Sequence, residues 1–326
     1  MIAFVTGGTG FIGSLLVEQL VQNDWEVHCL VRKSSSLKWL QKLPVQLVHG
    51  DLFAEETLAA TLAQATHVFH LAGVTKGLTA AEYFRSNGEA TRALLQACAH
   101  HGTQIERFVY VSSIAAAGPS RDRHLVREEE TPHPVSIYGR SKVEGERACA
   151  EYAGKLPITI ARPPIVYGPR DRDVYEYFKQ VQLGVRLRPG RQKRVYSLIH
   201  VQDLVAGLIT LAQHPRAAGE TFFLTNPAPV EWPELGLAIA RAMQKKTIQI
   251  TVPVFVTTII AALSELVAQL LRKPALLNFD KVREMRETHW IFSGEKARTQ
   301  LGFVPALSLE EGLRQTVAWY RENEWL

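Results

Sequence analysis

Eight residues near the start, Thr6-Gly7-Gly8-Thr9-Gly10-Phe11-Ile12-Gly13, restrict the fold more than any other stretch of this 326-residue chain. They follow a short apolar run, Ile2-Ala3-Phe4-Val5, and precede apolar residues at helical spacing from Ser14 to Leu20. The glycines therefore fall in a strand-to-helix turn. Glycine at 7, 10 and 13 permits a tight turn, lets a pyrophosphate approach the backbone, and lets the helix pack closely on a sheet. The free N–H groups at the helix start then face the anion. The spacing is G-x-x-G-x-x-G, which departs from the commoner G-x-G-x-x-G.

Further apolar runs follow at Glu26 to Val31, Val45 to His49, His67 to Leu71, Arg107 to Val111 and Ile158 to Ala161, separated by helical stretches that include 82 to 101 and 138 to 153. Strands alternating with helices predict an α/β protein with a doubly wound parallel sheet, a Rossmann fold. Arg162-Pro163-Pro164-Ile165-Val166-Tyr167-Gly168-Pro169 breaks regular structure. The expected division is a dinucleotide-binding domain at 1–166 and 195–226, with a smaller, mostly helical substrate domain at 167–194 and 227–326.

The second run ends in Arg32-Lys33-Ser34, where a carboxylate would hold the adenosine ribose hydroxyls. A cationic pair with a hydroxyl favours a 2′-phosphate, so NADP is expected over NAD. Tyr138 and Lys142 lie four residues apart at the start of a helix and share a face. An ammonium beside the phenol is expected to lower its pKa, so that the group can exchange protons. Ser113, after Ser112 at the carboxyl end of a strand, is placed to hydrogen-bond a substrate oxygen.

Composition is that of an ordinary globular protein, with 46% hydrophobic and 21% charged residues and a net charge of +5. The cations are scattered. The densest group, Arg186, Arg188, Arg191, Lys193 and Arg194, flanks Pro189-Gly190 and reads as a loop without the aromatic interleaving of single-strand nucleic-acid binders. Cys29, Cys98 and Cys149 are far apart and read as buried apolar residues in a reducing compartment, with no metal site. No signal peptide is expected ahead of the strand at Ile2, which suggests a cytoplasmic protein. The apolar stretch Val254 to Leu271 carries Glu265 and reads as a buried or lid helix, with contact at a membrane surface as the alternative.

The motifs TGGTGFIG at 6–13, HLAG at 70–73, VSSIAAAG at 111–118, YGRSK at 138–142, RPPIVYGP at 162–169 and HVQDL at 200–204 occur in one order. With them the chain resembles the extended short-chain dehydrogenase/reductases, also called the NAD-dependent epimerase/dehydratase family, over essentially its whole length. The resemblance implies a catalytic set of Ser113, Tyr138 and Lys142. Tyr138 would be the acid/base, while Lys142 would hold the nicotinamide ribose and lower the tyrosine's pKa. It implies a cofactor set of Gly7, Thr9, Gly10, Phe11, Ile12, Gly13, Arg32, Lys33, Asp51, Leu52, Ala72, Gly73 and Pro163 with Tyr138 and Lys142. Substrate contacts would come from Asn87, Ser113 and Tyr167.

Sugar-nucleotide members usually carry an asparagine and an arginine where this chain has Ile165 and Tyr196. SSIAAAGP, RPPIVYGP and SLIHV look more like the 3β-hydroxysteroid dehydrogenase and dihydroflavonol reductase branch. The expected activity is hydride transfer between a hydroxyl and a ketone on a hydrophobic small molecule. An NDP-sugar epimerase or dehydratase and a non-catalytic dinucleotide sensor remain alternatives. A homodimer is expected through helices 82–101 and 138–153.

Overall fold

The computed structural model describes residues 1–253, 255–256 and 279–326. Strands Ile2–Thr6 (β1), Glu26–Val31 (β2), Gln46–His49 (β3), His67–His70 (β4), Arg107–Val111 (β5) and Ile158–Arg162 (β6) are joined in one sheet by the strand Thr221–Phe223. Its order is Thr221–Phe223, β6, β5, β4, β1, β2, β3, and every pairing is parallel. The expected doubly wound sheet is present. β4 and β5 are buried on both faces, which is why Val68-Phe69 and Phe108-Val109-Tyr110-Val111 run without apolar-polar alternation.

Chain direction across the sheet reverses between β1 and β4. Loops leaving these two strands part there and open a crevice outside their carboxyl ends. One layer of core packs Leu16, Val17 and Leu20 of the helix Phe11–Gln22 with Leu204, Val205 and Leu208 of the helix Val201–Gln213. The opposite layer packs Leu94, Leu95 and Cys98 with Ala148 and Cys149. All three cysteines are buried and free, and burial pushes the Cys29 thiol up to about 12, so they behave as apolar filler.

A third core cluster holds the C-terminal part, where Tyr177, Phe178, Leu235, Ile239, Leu313, Val317 and Tyr320 meet. Asp203 ties this part to the sheet by accepting the Ala306 and Leu307 amide protons at 2.9 and 3.2 Å. Two local readings change. The stretch 82–101 is broken by a π turn at Arg85–Glu89 between the helices Ala80–Phe84 and Ala90–His101. Arg186 and Arg188 of the basic group expected in a loop lie in the strand Val185–Pro189, paired in parallel with Ile248–Val252, and Arg194 is buried. Of the apolar stretch Val254 to Leu271, all but residues 255 and 256 lies outside the described residues.

Candidate active site

The glycine turn is built by close approach. Gly7 has φ +75°, and a Cβ there would lie 2.7 Å from the Ala72 nitrogen; a Cβ on Gly13 would lie 2.2 Å from the Gly7 carbonyl oxygen. Gly10 is exposed, and the helix Phe11–Gln22 that follows has no side chain capping its first amides. Thr9, Phe11 and Ile12 are half-buried around the turn. Uncapped amide protons over a floor without side chains form a cradle that fits a pyrophosphate.

Thr6 supports the cradle from below. Its hydroxyl accepts the Ala72 amide proton at 3.2 Å and meets His70 Nδ1 at 2.7 Å, and His70 Nε2 meets the Thr91 hydroxyl at 3.0 Å. Burial pushes the His70 imidazole down to about 3, so the ring is a neutral link at physiological pH. Arg32, Lys33 and Ser34 are exposed at the carboxyl end of β2. Asp51 and Leu52 follow β3, where the Asp51 carboxylate accepts the Phe53 amide proton at 2.9 Å. Pro163 is buried, and its carbonyl accepts the Ile114 amide proton at 3.1 Å, which fixes the turn holding Ser113.

Tyr138 is the second residue of the helix Ile137–Tyr152, and the Ser113 hydroxyl lies near enough to its phenol to oppose a rise in its pKa. Ser113 also caps the short helix Ile114–Ala117 by accepting the Ala115 amide proton at 3.1 Å. Lys142 is buried one turn after Tyr138, but its ammonium turns away. Nζ donates to the Val111 carbonyl at 2.8 Å, lies 4.8 Å from the centre of the Tyr110 ring, and borders Gly73.

The expectation that Lys142 lowers the tyrosine's pKa is therefore corrected. Burial pushes the Tyr138 phenol up to about 12; the Ser113 hydroxyl and the Lys281 charge oppose that shift. Lys142 is itself pushed down to about 8, chiefly by burial, with the Glu146 carboxylate opposing. At neutral pH the structure thus presents a protonated phenol, the form needed to donate a proton.

Asn87 has both amide protons committed, to the Val74 carbonyl and the Ser141 hydroxyl, each at 2.9 Å. Its oxygen accepts the Val74 amide proton at the same distance. It braces the loop after β4 against the tyrosine helix, and no side-chain donor is left for a substrate. Tyr167 is not brought to Ser113 and Tyr138 either. It is buried edge-on to His200, 5.3 Å between ring centres, with its hydroxyl against Gly312.

Two groups escaped the sequence reading. Glu146 and Arg162 form a buried two-point ion pair at 2.8 and 2.7 Å, and Ser112 donates to Glu146 at 2.6 Å. The available signal was spacing, since Glu146 falls one turn after Lys142 on the same face. Arg162→Met should leave that carboxylate buried and unpaired, costing about 3–5 kcal/mol in urea unfolding; a stability within about 1 kcal/mol of the parent protein would contradict it.

Asp280 is the second. Buried in the helix Phe279–Arg286, it accepts the Ile137 and Tyr138 amide protons at 2.6 and 3.0 Å, and so caps the tyrosine helix together with Ser136. Its neighbour Lys281 is paired with Glu284 at 3.2 Å. Nothing near position 138 in the sequence signals a partner so distant.

A parallel doubly wound sheet, a side-chain-free anion cradle at its switch point and a serine-tyrosine pair at the next strand end define a nucleotide-dependent oxidoreductase or epimerase architecture. The pattern of the NAD dependent epimerase/dehydratase family matches residues 3–224, and the chain belongs to that family, the extended short-chain dehydrogenase/reductases. It is 31% identical to ceramide reductase of Caulobacter vibrioides over 323 residues, 99% of this chain and 95% of the relative. It is 28% identical to UDP-glucose 4-epimerase of Vibrio cholerae over 329 residues, covering 96% and 93%. Its fold matches the crystal structure of UDP-glucuronic acid 4-epimerase from Bacillus cereus in complex with NAD, with TM-score 0.80, 22% identity and 99% of both chains covered.

Proposed function

We propose that the protein is an NADP-preferring oxidoreductase that interconverts a ketone and a hydroxyl on a hydrophobic, steroid- or flavonol-like small molecule. The observation that carries the reading is the placement of Tyr138, at the start of its helix, beside Ser113 at the carboxyl end of β5. The bound nicotinamide would supply or accept the hydride. Tyr138 gives its proton to the carbonyl oxygen in reduction and takes it back in oxidation, and the Ser113 hydroxyl orients that oxygen. Lys142, beside Gly73 at the crevice, holds the nicotinamide ribose, and the glycine cradle holds the pyrophosphate.

A hydrophobic substrate is supported at the two positions where sugar-nucleotide enzymes usually carry polar contacts. Ile165 and Tyr196 pack instead against the C-terminal core, and Tyr196 lies edge-on to Trp232 at 5.7 Å. The ceramide reductase relative is consistent with a lipophilic substrate. For the cofactor, exposed Arg32 and Lys33 supply cations for a 2′-phosphate, and the strand end offers no carboxylate.

Two measurements test this reading. Denaturing the purified protein, identifying any released nucleotide and titrating the emptied protein should find a site that binds NADPH more tightly than NADH. Stoichiometric retained NAD would instead indicate an epimerase that recycles its hydride in place. Arg32→Ala should weaken NADPH by about tenfold, one charge-assisted contact, and leave NADH within about twofold; equal losses would refute the phosphate contact.

A further inference from the structure

The two-stranded ribbon Val185–Pro189 with Ile248–Val252 has one face that no part of the catalytic reading uses. Its register pairs Ile248 with Val185, Ile250 with Leu187 and Val252 with Pro189. Because strands alternate, these six apolar residues share one face, while Arg186, Arg188, Gln249 and Thr251 share the other. On the polar face Gln249 and Thr251 are exposed, while Arg186 packs inward. Arg186 Nε donates to the Thr247 hydroxyl at 2.8 Å, and the Arg186 side chain lies against Gly236 of the helix Trp232–Met243.

On the apolar face Val185, Leu187, Pro189 and Val252 are half-buried, and Ile248 and Ile250 stand out, 66% and 43% exposed. Leu183, just before the ribbon, is 82% exposed, and Phe255, just after it, is 66% exposed. Several exposed side chains of this size on one short segment pair are unusual on a monomeric surface and mark an interaction site.

Charge identifies the partner. Residues 182–194 hold five Lys or Arg and no Asp or Glu; residues 235–256 hold Arg241, Lys245 and Lys246 and again no acid. Lys245 and Lys246 are exposed at the end of the ribbon beside Leu183 and Ile248, and Arg191 is exposed at the other. Lys193 is paired with Glu231, and Arg241 lies 4.0 Å from the exposed Glu310 carboxylate. Exposed apolar groups with cations at both ends match an anionic lipid bilayer, with side chains entering the headgroup boundary and cations meeting lipid phosphates.

We propose that this ribbon docks the protein on an anionic membrane surface, without spanning it. Among the described residues no helix is long and apolar enough to cross a membrane. The ribbon is also tied to the catalytic helix. Arg194 donates to the Pro189 carbonyl at 2.9 Å and to the Glu287 carbonyl at 3.1 Å, at the end of the segment in which Asp280 caps the Tyr138 helix. A docked ribbon would hold that segment, and the crevice beside it, near the lipid.

The test is flotation of the purified full chain with phosphatidylcholine vesicles, with and without phosphatidylglycerol. The protein should float with the anionic vesicles and be released by high salt. Leu183→Glu combined with Ile248→Glu, and separately Lys245→Glu combined with Lys246→Glu, should each lower the bound fraction at least about tenfold while leaving NADPH affinity unchanged. The proposal is overturned if the parent protein does not float, if either double variant floats as well as the parent, or if both vesicle types bind equally. It is also overturned if sedimentation shows that the variants dissociate a dimer while vesicles carry no parent protein, because the face would then be a contact between copies of this chain.

Discussion

Tyr138→Phe is expected to reduce turnover about 10³-fold while nicotinamide nucleotide affinity stays within about twofold. The substitution removes one oxygen from a half-buried ring and leaves the ring's packing beside Tyr83, with centres 6.4 Å apart. The fold should therefore be retained. A positioned general acid contributes about 10²–10⁴-fold, and here the phenol holds its proton across the physiological range because burial raises its pKa. The loss should appear in kcat and kcat/KM together, since the proton moves only at the transition state. Single-turnover reduction of a lipophilic ketone, with nucleotide affinity measured separately by fluorescence titration, checks both halves. A Tyr138→Phe protein that keeps a tenth or more of the parent rate would remove Tyr138 from the acid role.

Gly13→Ala should abolish nucleotide binding by a different route. The added methyl carbon would lie 2.2 Å from the Gly7 carbonyl oxygen, 2.8 Å from the Gly7 carbonyl carbon and 3.0 Å from the Gly8 Cα. All three are main-chain atoms, so nothing can swing aside, and the turn must open to admit the methyl. Overpacking of this kind costs about 1–3 kcal/mol of stability. Affinity for the nucleotide should fall at least about 100-fold, or about 2.7 kcal/mol, because the amides that face the pyrophosphate move with the turn. Gly154→Ala is the control. A Cβ there meets nothing within 4 Å, and the variant should stay within about 0.5 kcal/mol of the parent in thermal unfolding with unchanged affinity. Normal binding by the Gly13→Ala protein would mean that the turn is not the anion cradle.

What could be read from the sequence was local. The glycine turn, the buried strands of the parallel sheet and the Tyr138–Lys142 spacing each leave their mark within a short run of consecutive residues. Direction was harder to read than position. Spacing places Lys142 one turn from Tyr138, yet the ammonium points to Val111 because that carbonyl lies opposite it across the packing of helix on sheet. Asn87 sits in a π turn, which rotates a side chain relative to an α-helical reading and here delivers it to the Val74 backbone.

The basic stretch before Arg194 reads as a loop because Pro189-Gly190 dominates its middle. Those residues only end a strand whose partner arrives far downstream, at Ile248–Val252, and no local pattern announces that pairing. Glu146 with Arg162, and Asp280 with the tyrosine helix, join separate segments by polar contacts. Unlike apolar periodicity, such contacts have no repeat to detect.

The cap supplied by Asp280 orders events in the life of the chain. It closes the start of the Tyr138 helix from 143 positions downstream, whereas the residues of the nucleotide cradle lie within the first 73. During N-to-C-terminal synthesis, strand pairing around the cradle begins while the cap residue is still unmade. Until the last segments emerge and dock, the Ile137 and Tyr138 amides lack their carboxylate. Synthesis therefore supplies the glycine turn and its neighbouring strands first, and the carboxylate that fixes the start of the Tyr138 helix near the end.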